Sequence, residues 1–290
     1  MIHSTQTLHL EKRYGLIKAV EMLVEGGWKN LDVTCEYDRD FYYNDEYKSL
    51  AERLKEYASK NGVSFIQGHA PFGRYDWDLN KMKEEYLWRF PRMFEFLGAL
   101  GVKNVVVHPI HNLRHYGNEE ALFETNMEFY TSLVPYAKSS GVNIAIENMW
   151  HYHPVARYIC DSVCSAPEEL ARYYDTLKHH GVFTVCLDLG HVALTGREPE
   201  RVIRQLGERI GCLHVHDVDY KTDLHTLPGA SKLNWEEITR ALGEIDYKGS
   251  FNLEADYFFR GFPEELENDV IKFMEKTART LATKVDAYRK

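Results

Sequence analysis

Imidazole and carboxylate side chains are concentrated between Cys212 and His225, in the stretch CLHVHDVDYKTDLH. Leu213 and Val215 alternate with His214 and His216, and this period of two predicts a strand with apolar side chains on one face and candidate ligands on the other. Residues 214–225 contain three histidines and three aspartates. Such a group is costly to place together unless a cation lies among it. A solvated polar loop after an ordinary strand is the simpler alternative.

The same residue types end five other predicted strands. With His214 included, the six are His69, His108, Glu147, Asp188, His214 and Glu254. Aliphatic neighbours have the opposite parity, as Ile144 and Ile146 do beside Glu147, so each candidate ligand points to the same side of its strand. If the six converge, their carboxylates repel one another. A divalent cation relieves that repulsion, and mixed histidine and carboxylate ligands suit Zn or Mn.

The elements that carry these residues alternate along the whole chain. Strands are predicted at 2–8, 30–36, 64–71, 104–110, 143–148, 183–191, 210–217 and 249–256, and helices at about 16–24, 46–59, 80–100, 119–137, from 165, 199–206, near 235 and from 263. Pro91 is expected to kink the third helix. Eight such units predict an α/β fold, a parallel (β/α)8 TIM barrel formed by residues 1–290 as a single domain. An open doubly wound sheet is the competitor, but no G-x-G-x-x-G turn follows the first strand.

In a barrel of this kind the carboxyl ends of the strands form one mouth, where active sites lie. His191, Asp223 and His225 follow those ends and are candidates for further ligands or for substrate contacts. The loop Trp150–Tyr158 (WHYHPVARY) is aromatic, so it either stacks on a sugar ring at the mouth or packs as an interface loop. The loop Glu36–Glu46 carries five acids and one arginine, Arg39. It would repel a phosphodiester backbone, or it is solvated surface.

Composition narrows the class of protein. The chain has 290 residues, 44% of them hydrophobic, and a net charge of −9, which argues against general attraction to nucleic acid or to anionic membranes. No apolar run reaches the roughly 20 residues that span a bilayer, and residues 1–15 do not resemble a signal peptide. The five cysteines are odd in number and scattered, which predicts free thiols and a cytoplasmic location.

The ordered set of motifs resembles the xylose isomerase-like TIM-barrel superfamily over about residues 5–282. The matching stretches are GHAPF (68–72), VVHPIHN (106–112), AIENMW (145–150), LDLGH (187–191), LHVHD (213–217), LHTLPG (224–229) and NLEAD (252–256). In the sugar epimerases of this superfamily one metal is held by the residues that match Glu147, Asp188, His214 and Glu254. The resemblance also implies that the two glutamates act as the acid and base pair.

The resemblance extends to the endonuclease IV branch of the superfamily, AP endonuclease family 2, which binds three zinc ions. Residue types matching its ligands are His69, His108, Glu147, Asp188, His191, His214, Asp223, His225 and Glu254. The loops that would engage DNA do not match as well. The loop after the second strand is acidic, and FGRYDWD (72–78) after the third has little positive charge, whereas phosphate binding requires several Lys or Arg contacts.

The favoured hypothesis is a divalent-metal-dependent sugar or sugar-phosphate isomerase or epimerase. One of Glu147 and Glu254 would remove a proton beside the substrate carbonyl and the other would return it, through an enediolate stabilised by the metal. Trp150, His69, His108, His191 and His216 are the expected substrate contacts. We expect one bound metal ion and leave open a count of up to three. An endonuclease IV-like zinc phosphodiesterase is the alternative, and an inactive binding barrel is third. We expect a small-molecule partner, no nucleic acid and no membrane, and leave homo-oligomer formation open.

Overall fold

A computed structural model describes residues 1–35, 44–71, 88–111 and 113–289. Eight parallel strands form its barrel: β1 His3–Gln6, β2 Asn30–Thr34, β3 Ser64–His69, β4 Asn104–Val107, β5 Asn143–Glu147, β8 Phe183–Asp188, β9 Ile210–His214 and β10 Phe251–Leu253. Between β5 and β8 lies an antiparallel hairpin of β6 Trp150–Tyr152 and β7 Ile159–Asp161. The strand order is β10-β1-β2-β3-β4-β5-β8-β9, and a parallel bridge from Val215 to Leu253 closes the ring.

Helices separate the strands and cover the outside of the barrel. They are α1 Leu8–Tyr14, α2 Leu16–Glu25, α3 Glu46–Asn61, α4 Arg89–Leu100, α5 Glu119–Ser140, α6 Pro167–Leu177, α7 Leu189–Leu194, α8 Pro199–Leu206, α9 Trp235–Glu244 and α10 Glu267–Tyr288. The predicted single-domain (β/α)8 barrel is confirmed. That the domain extends over all of residues 1–290 stays a prediction.

Side-chain alternation on the strands directs the candidate ligands into the barrel. Val106, Ala145, Cys186 and Cys212 form a small apolar cluster of their own, separate from the main core. Each lies two residues before a candidate ligand, and side chains two apart on a strand share a face. The intervening residues, such as Ile146 and Leu187, belong to the main core under the helices. The small inner cluster therefore forms the layer of the barrel interior directly beneath the candidate ligands.

Several predicted details differ in the structure. The sixth predicted strand ends at Asp188 and not at residue 191, because the Asp188 side chain accepts a hydrogen bond from the N–H of His191 and caps a helix that begins at Leu189. Strand β4 ends at Val107, short of the predicted residue 110, because Pro109 has no N–H to donate to a ladder. Pro91 does not kink the helix, since it lies in the first turn of α4, where N–H groups have no intrahelical partner. A 3₁₀ turn, Glu264–Leu266, follows Pro263, so α10 begins at Glu267. The predicted helical residues 80–87 lie outside the described residues.

Two further expectations concern the chain as a whole. All five cysteines are free thiols, as their number and spacing predict. Within the described ranges, none of the helices has the length and apolar character needed to cross a bilayer.

Candidate metal centre

Four side chains at the carboxyl ends of β5, β8, β9 and β10 bring their ligand atoms together. Glu147, Asp188, His214 and Glu254 each offer one atom, and these atoms lie within 4.8 Å of one another. His214 Nδ1 is 2.9 Å from Glu147 Oε1, 3.0 Å from Glu254 Oε2 and 3.9 Å from Asp188 Oδ2. One imidazole nitrogen thus faces three carboxylates. It carries at most one proton, so this donor set suits a divalent cation that all four atoms bind.

The side chains of this group are buried, so the charges on them interact strongly. The side chains of Asp188 and His214 have no exposed surface and that of Glu147 is 1% exposed. Burial opposes ionisation of Glu147, but His214 and His108 outweigh it and hold the pKa of Glu147 well below its usual range. Burial likewise disfavours the imidazolium of His214, but Glu254 and Glu147 raise its pKa well above its usual range. The carboxylates therefore stay ionised, and they attract positive charge to the position of His214 Nδ1.

Three histidines around the group are oriented by main-chain carbonyls. His69, His191 and His225 each direct Nδ1 at a carbonyl oxygen, of Ala70 at 2.7 Å, of Asn148 at 2.9 Å and of Glu254 at 3.0 Å respectively. A carbonyl only accepts hydrogen bonds, so the proton of each neutral ring lies on Nδ1. The lone pair of each ring is then on Nε2, the arrangement typical of metal-binding histidines.

The Nε2 atoms of these rings face carboxylates. Nε2 of His69 is 3.7 Å from Glu147 Oε2, and Nε2 of His225 is 3.1 Å from Asp223 Oδ2. Nε2 of His191 is 4.0 Å from the same oxygen of Asp223. A lone pair does not attract a carboxylate, so each pair needs either a proton on Nε2 or a metal ion between the two atoms. The residues present therefore fit metal ions at the four-residue group and also at two neighbouring groups, His69–Glu147–His214 and His191–His216–Asp223–His225.

A cavity of about 590 Å³ opens above these residues. Glu147 and Glu254 line it, whereas Asp188 and His214 lie below its wall. The remaining predicted ligands His69, His108, His191, Asp223 and His225 line it as well. Volumes of this size accommodate small molecules. The cavity therefore gives a small ligand direct access to both glutamates.

Trp150 is the part of the aromatic loop that reaches this cavity. Its ring lies 6.4 Å from that of His191, in an edge-to-face arrangement. The rest of WHYHPVARY forms the β6–β7 hairpin, and His151, Pro154, Val155 and Tyr158 line a separate cavity of about 750 Å³. Of the two alternatives for this loop, a place at the mouth therefore applies to Trp150, because the hairpin directs His151, Pro154, Val155 and Tyr158 to the other cavity.

His216 does not line the cavity, contrary to its predicted substrate contact. The residue has no exposed surface, and its Nε2 lies 3.1 Å from Asp188 Oδ1. Its ring stacks on that of His225 at 4.1 Å, and a Cβ at Gly190 would collide with it. His216 thus lies beneath the cavity wall, in contact with Asp188 and His225, and belongs to one of the groups that could hold a metal ion.

Two aspartates of the 214–225 cluster have no part in the centre. Asp217 is fully buried, and its carboxylate accepts hydrogen bonds from main-chain N–H groups of the following loop and from Trp235 Nε1 at 2.9 Å. Asp219 Oδ1 accepts from the N–H groups of Lys221 and Thr222, which closes a local turn. The expectation that a cation explains this whole cluster is therefore wrong for these two residues, since N–H donors satisfy both.

Several further residues lie at the site beyond those predicted from the sequence. The Asn148 side chain accepts a hydrogen bond from the Asp188 N–H at 2.8 Å and donates one to the Asp188 carbonyl at 3.0 Å. Asn148 therefore ties β5 to β8. Asp32 is buried behind His214, its Oδ2 4.0 Å from His214 Nε2. Burial raises the pKa of Asp32, although His214 and His69 lower it. Its parity between Leu31 and Val33 is the same signal that identified the six strand-end ligands.

Other missed residues form the outer wall of the cavity. They come from α1 and from the 3₁₀ turn Asp256–Phe259, and include His9, Arg13, Asp256 and Arg260. Burial raises the pKa of Asp256 to about 6, although His225 opposes the shift. The loop residues 36–43 and 72–78, on which the predicted rejection of DNA depends, lie outside the described residues.

Comparison with known proteins gives results that agree with this geometry. A family model described as xylose isomerase-like TIM barrel matches residues 11–277. An inosose dehydratase of Clostridium perfringens is 23% identical over 82% of this chain and 82% of its own. A D-psicose 3-epimerase of Ruminiclostridium cellulolyticum is 24% identical over 69% of this chain and 66% of its own. A crystal structure of IOLI protein with a zinc atom covers 99% of both chains at a TM-score of 0.71 and 19% identity, a likeness of fold.

Proposed function

The chain belongs to the xylose isomerase-like TIM barrel family, and from this premise we propose that it is a metal-dependent isomerase or epimerase of a sugar or sugar phosphate. The observation that carries the proposal is the placement of Glu147 and Glu254. Both line the cavity, and both lie about 3 Å from the same nitrogen, His214 Nδ1. Relatives named as an epimerase of D-psicose and a dehydratase of an inosose support a polyhydroxy carbonyl compound as the substrate.

The two glutamates move the proton. Burial disfavours the carboxylate of Glu254, but His214 outweighs it and lowers the pKa of Glu254, as it does for Glu147. Both groups are therefore ionised when the substrate enters, the form that a base requires. One removes the proton from the carbon beside the carbonyl. The other first takes up a proton from solvent and then delivers it to the opposite face of the same carbon, which gives the epimer.

Glu147, Asp188, His214 and Glu254 would hold one divalent ion, Zn or Mn by the chemistry of their ligand atoms. When bound, that ion supplies the positive charge that makes the substrate C–H more acidic and offsets the charge on its oxygen. His69, His108 and His191 line the cavity around Glu147 and can bond substrate hydroxyls. Trp150 lines the same cavity, and its apolar ring can pack against a sugar ring.

A second candidate, a multi-zinc phosphodiesterase of the endonuclease IV type, is favoured by one observation. Ligand atoms gather in three groups, and His191, Asp223 and His225 belong to a group that a single ion at Glu147 does not use. Two or three ions would clamp the attacking and leaving oxygens of a phosphoester. The metal count therefore separates the two candidates.

The test combines metal analysis with isotope exchange. Protein purified without added metal is analysed for bound Zn and Mn, then incubated in heavy water with a panel of ketoses and ketose phosphates. We expect one ion per chain and deuterium at the carbon beside the carbonyl, because a glutamate base exchanges its proton with solvent. Two or three zinc ions, cleavage of an abasic-site oligonucleotide and no exchange in any sugar would favour the phosphodiesterase.

A further inference from the structure

The outer wall of the cavity carries three basic side chains and one carboxylate, Asp256, in contrast to its floor. Lys12, Arg13 and Arg260 line it together with His9. They come from α1 and from the 3₁₀ turn after β10, and these segments are neighbours because β1 pairs with β10. The floor carries Glu147 and Glu254. A chain with a net charge of −9 places these cations against its own excess of negative charge, so they require a specific explanation.

Arg260 is held in a position from which it can bind a ligand. Its guanidinium carbon lies 3.2 Å from the centroid of the Tyr257 ring, over the ring face. Stacking of this kind fixes the plane of the guanidinium and leaves its N–H edge free to bind a planar or tetrahedral anion through two hydrogen bonds. Arg13, by contrast, is paired with Glu264 at 2.9 Å and with Glu267. Arg13 therefore anchors α1 to the turn before α10.

His9 is close enough to both arginines for their charges to act on its ring. Its ring stacks on Phe259 at 4.9 Å and an angle of 9°, and its buried Nε2 has no hydrogen-bond partner among the described residues. Burial lowers the pKa of His9 and Arg13 lowers it further; Glu267, which pairs with Arg13, opposes the shift, and Arg260 adds to it. The imidazole nitrogen therefore lies near Arg260, whose charge no described carboxylate pairs, and this is where an anion would be stabilised.

We propose that the substrate carries a phosphate or carboxylate at the end remote from its carbonyl, and that Arg260, with His9 and Lys12, binds this group. The inference rests on the proposed function, because the carbonyl end must lie at Glu147 and Glu254. The metal-binding floor takes the uncharged, hydroxylated end of the molecule. The cationic wall at the other side of the same cavity of about 590 Å³ takes the anion.

Binding of three probes to the metal-loaded protein tests this, measured by titration calorimetry. The probes are D-fructose, D-fructose 6-phosphate and 5-keto-D-gluconate. We expect at least one of the charged probes to bind about tenfold or more tightly than D-fructose, since charge-assisted hydrogen bonds are stronger than neutral ones. A preference for one charged probe over the other identifies the anion. Equal affinity for all three would overturn the proposal.

Substitutions at Arg260 test whether this residue produces the preference for charged probes. Arg260→Gln should bring the ratio of charged to neutral affinity close to unity, and Arg260→Lys should leave an intermediate ratio, because it keeps the charge without the planar fork. Arg201→Gln, an exposed arginine on α8, is the matched control and should keep the full ratio. A preference that survives in Arg260→Gln would mean that the anion binds elsewhere, such as at the metal, and would refute the subsite.

Deuterium exchange on the same probes separates this inference from the proposed function. Exchange into D-fructose without any preference for anions would refute the subsite and leave the isomerase proposal intact. An Arg260-dependent preference without exchange into any probe would support the subsite and count against the isomerase proposal.

Discussion

Two buried carboxylates in this molecule are stabilised in opposite ways. Asp217 has five N–H groups around it: those of Val218, Gly229, Ser231 and Leu233 and the indole of Trp235, at 2.9 to 3.1 Å. Glu147 has imidazole nitrogens, at 2.8 Å from His108 and 2.9 Å from His214, with Glu254 and Asp188 close by. Donors alone satisfy Asp217. Glu147 is surrounded by groups that themselves prefer a cation.

The comparison shows that burial of a carboxylate does not by itself identify a functional site. A carboxylate enclosed by main-chain N–H groups is a structural element that shapes its loop. A carboxylate that faces other carboxylates and imidazole lone pairs is stable only with added positive charge. The difference lies in the groups that surround the carboxylate oxygens. Substitutions near Glu147 or Asp217, and a change of pH, test one or the other of these two environments.

The largest effect is expected from Glu147→Gln. The amide cannot take a proton as a base and is a weaker ligand, so we expect bound metal to be lost and deuterium exchange to fall by roughly a thousandfold. Metal content by plasma emission and exchange by NMR measure this. Glu208→Gln, at an exposed position, is the control and should behave like the parent protein. Normal metal content and exchange in Glu147→Gln would contradict its assigned role.

Asp217→Ala should affect stability and spare the metal. The substitution leaves buried N–H donors without an acceptor, so we expect the free energy of unfolding in urea to fall by about 3 kcal/mol or more. Asp219→Ala removes only a local turn at a partly exposed position and should cost about 1 kcal/mol or less. Metal bound per folded chain should stay unchanged in both. Loss of metal from folded Asp217→Ala would show that the two regions are not independent.

Metal affinity should rise with pH through the neutral range. Burial opposes the imidazolium of His214, but Glu254 and Glu147 raise its pKa, so a proton competes with the metal for Nδ1 up to a higher pH than at an ordinary histidine. Each competing proton changes the affinity by about tenfold per pH unit below that pKa. Chelator competition at pH 6, 7 and 8 measures the slope. A flat profile would mean that His214 is not a ligand.

The smallest effect is expected from Trp235→Phe. The ring stays apolar and keeps much of its packing, but Asp217 loses one of its five donors. We expect a loss of about 1 kcal/mol in the free energy of unfolding, the usual net contribution of one hydrogen bond. A loss as large as that of Asp217→Ala would mean that the indole N–H, and not the main-chain donors, holds the loop.

The sequence by itself determined the barrel and the residues at its mouth. Eight alternating units specify the fold because βα units of this kind pack with one handedness. Parity on strands such as β5 and β8 points Glu147 and Asp188 inward, because side chains alternate faces. Both of these are local rules, so no knowledge of distant contacts is required.

The tertiary structure alone decided which polar residues serve the site. His216 and Asp217 are adjacent in a stretch rich in ligand types, yet one supports Asp188 and the other is enclosed by the loop 228–235. Arg260 reaches the cavity because β10 pairs with β1, far away in the chain. The reason is physical: the state and role of a charged group depend on the atoms around it, and chain folding brings those atoms from segments that sequence spacing does not relate.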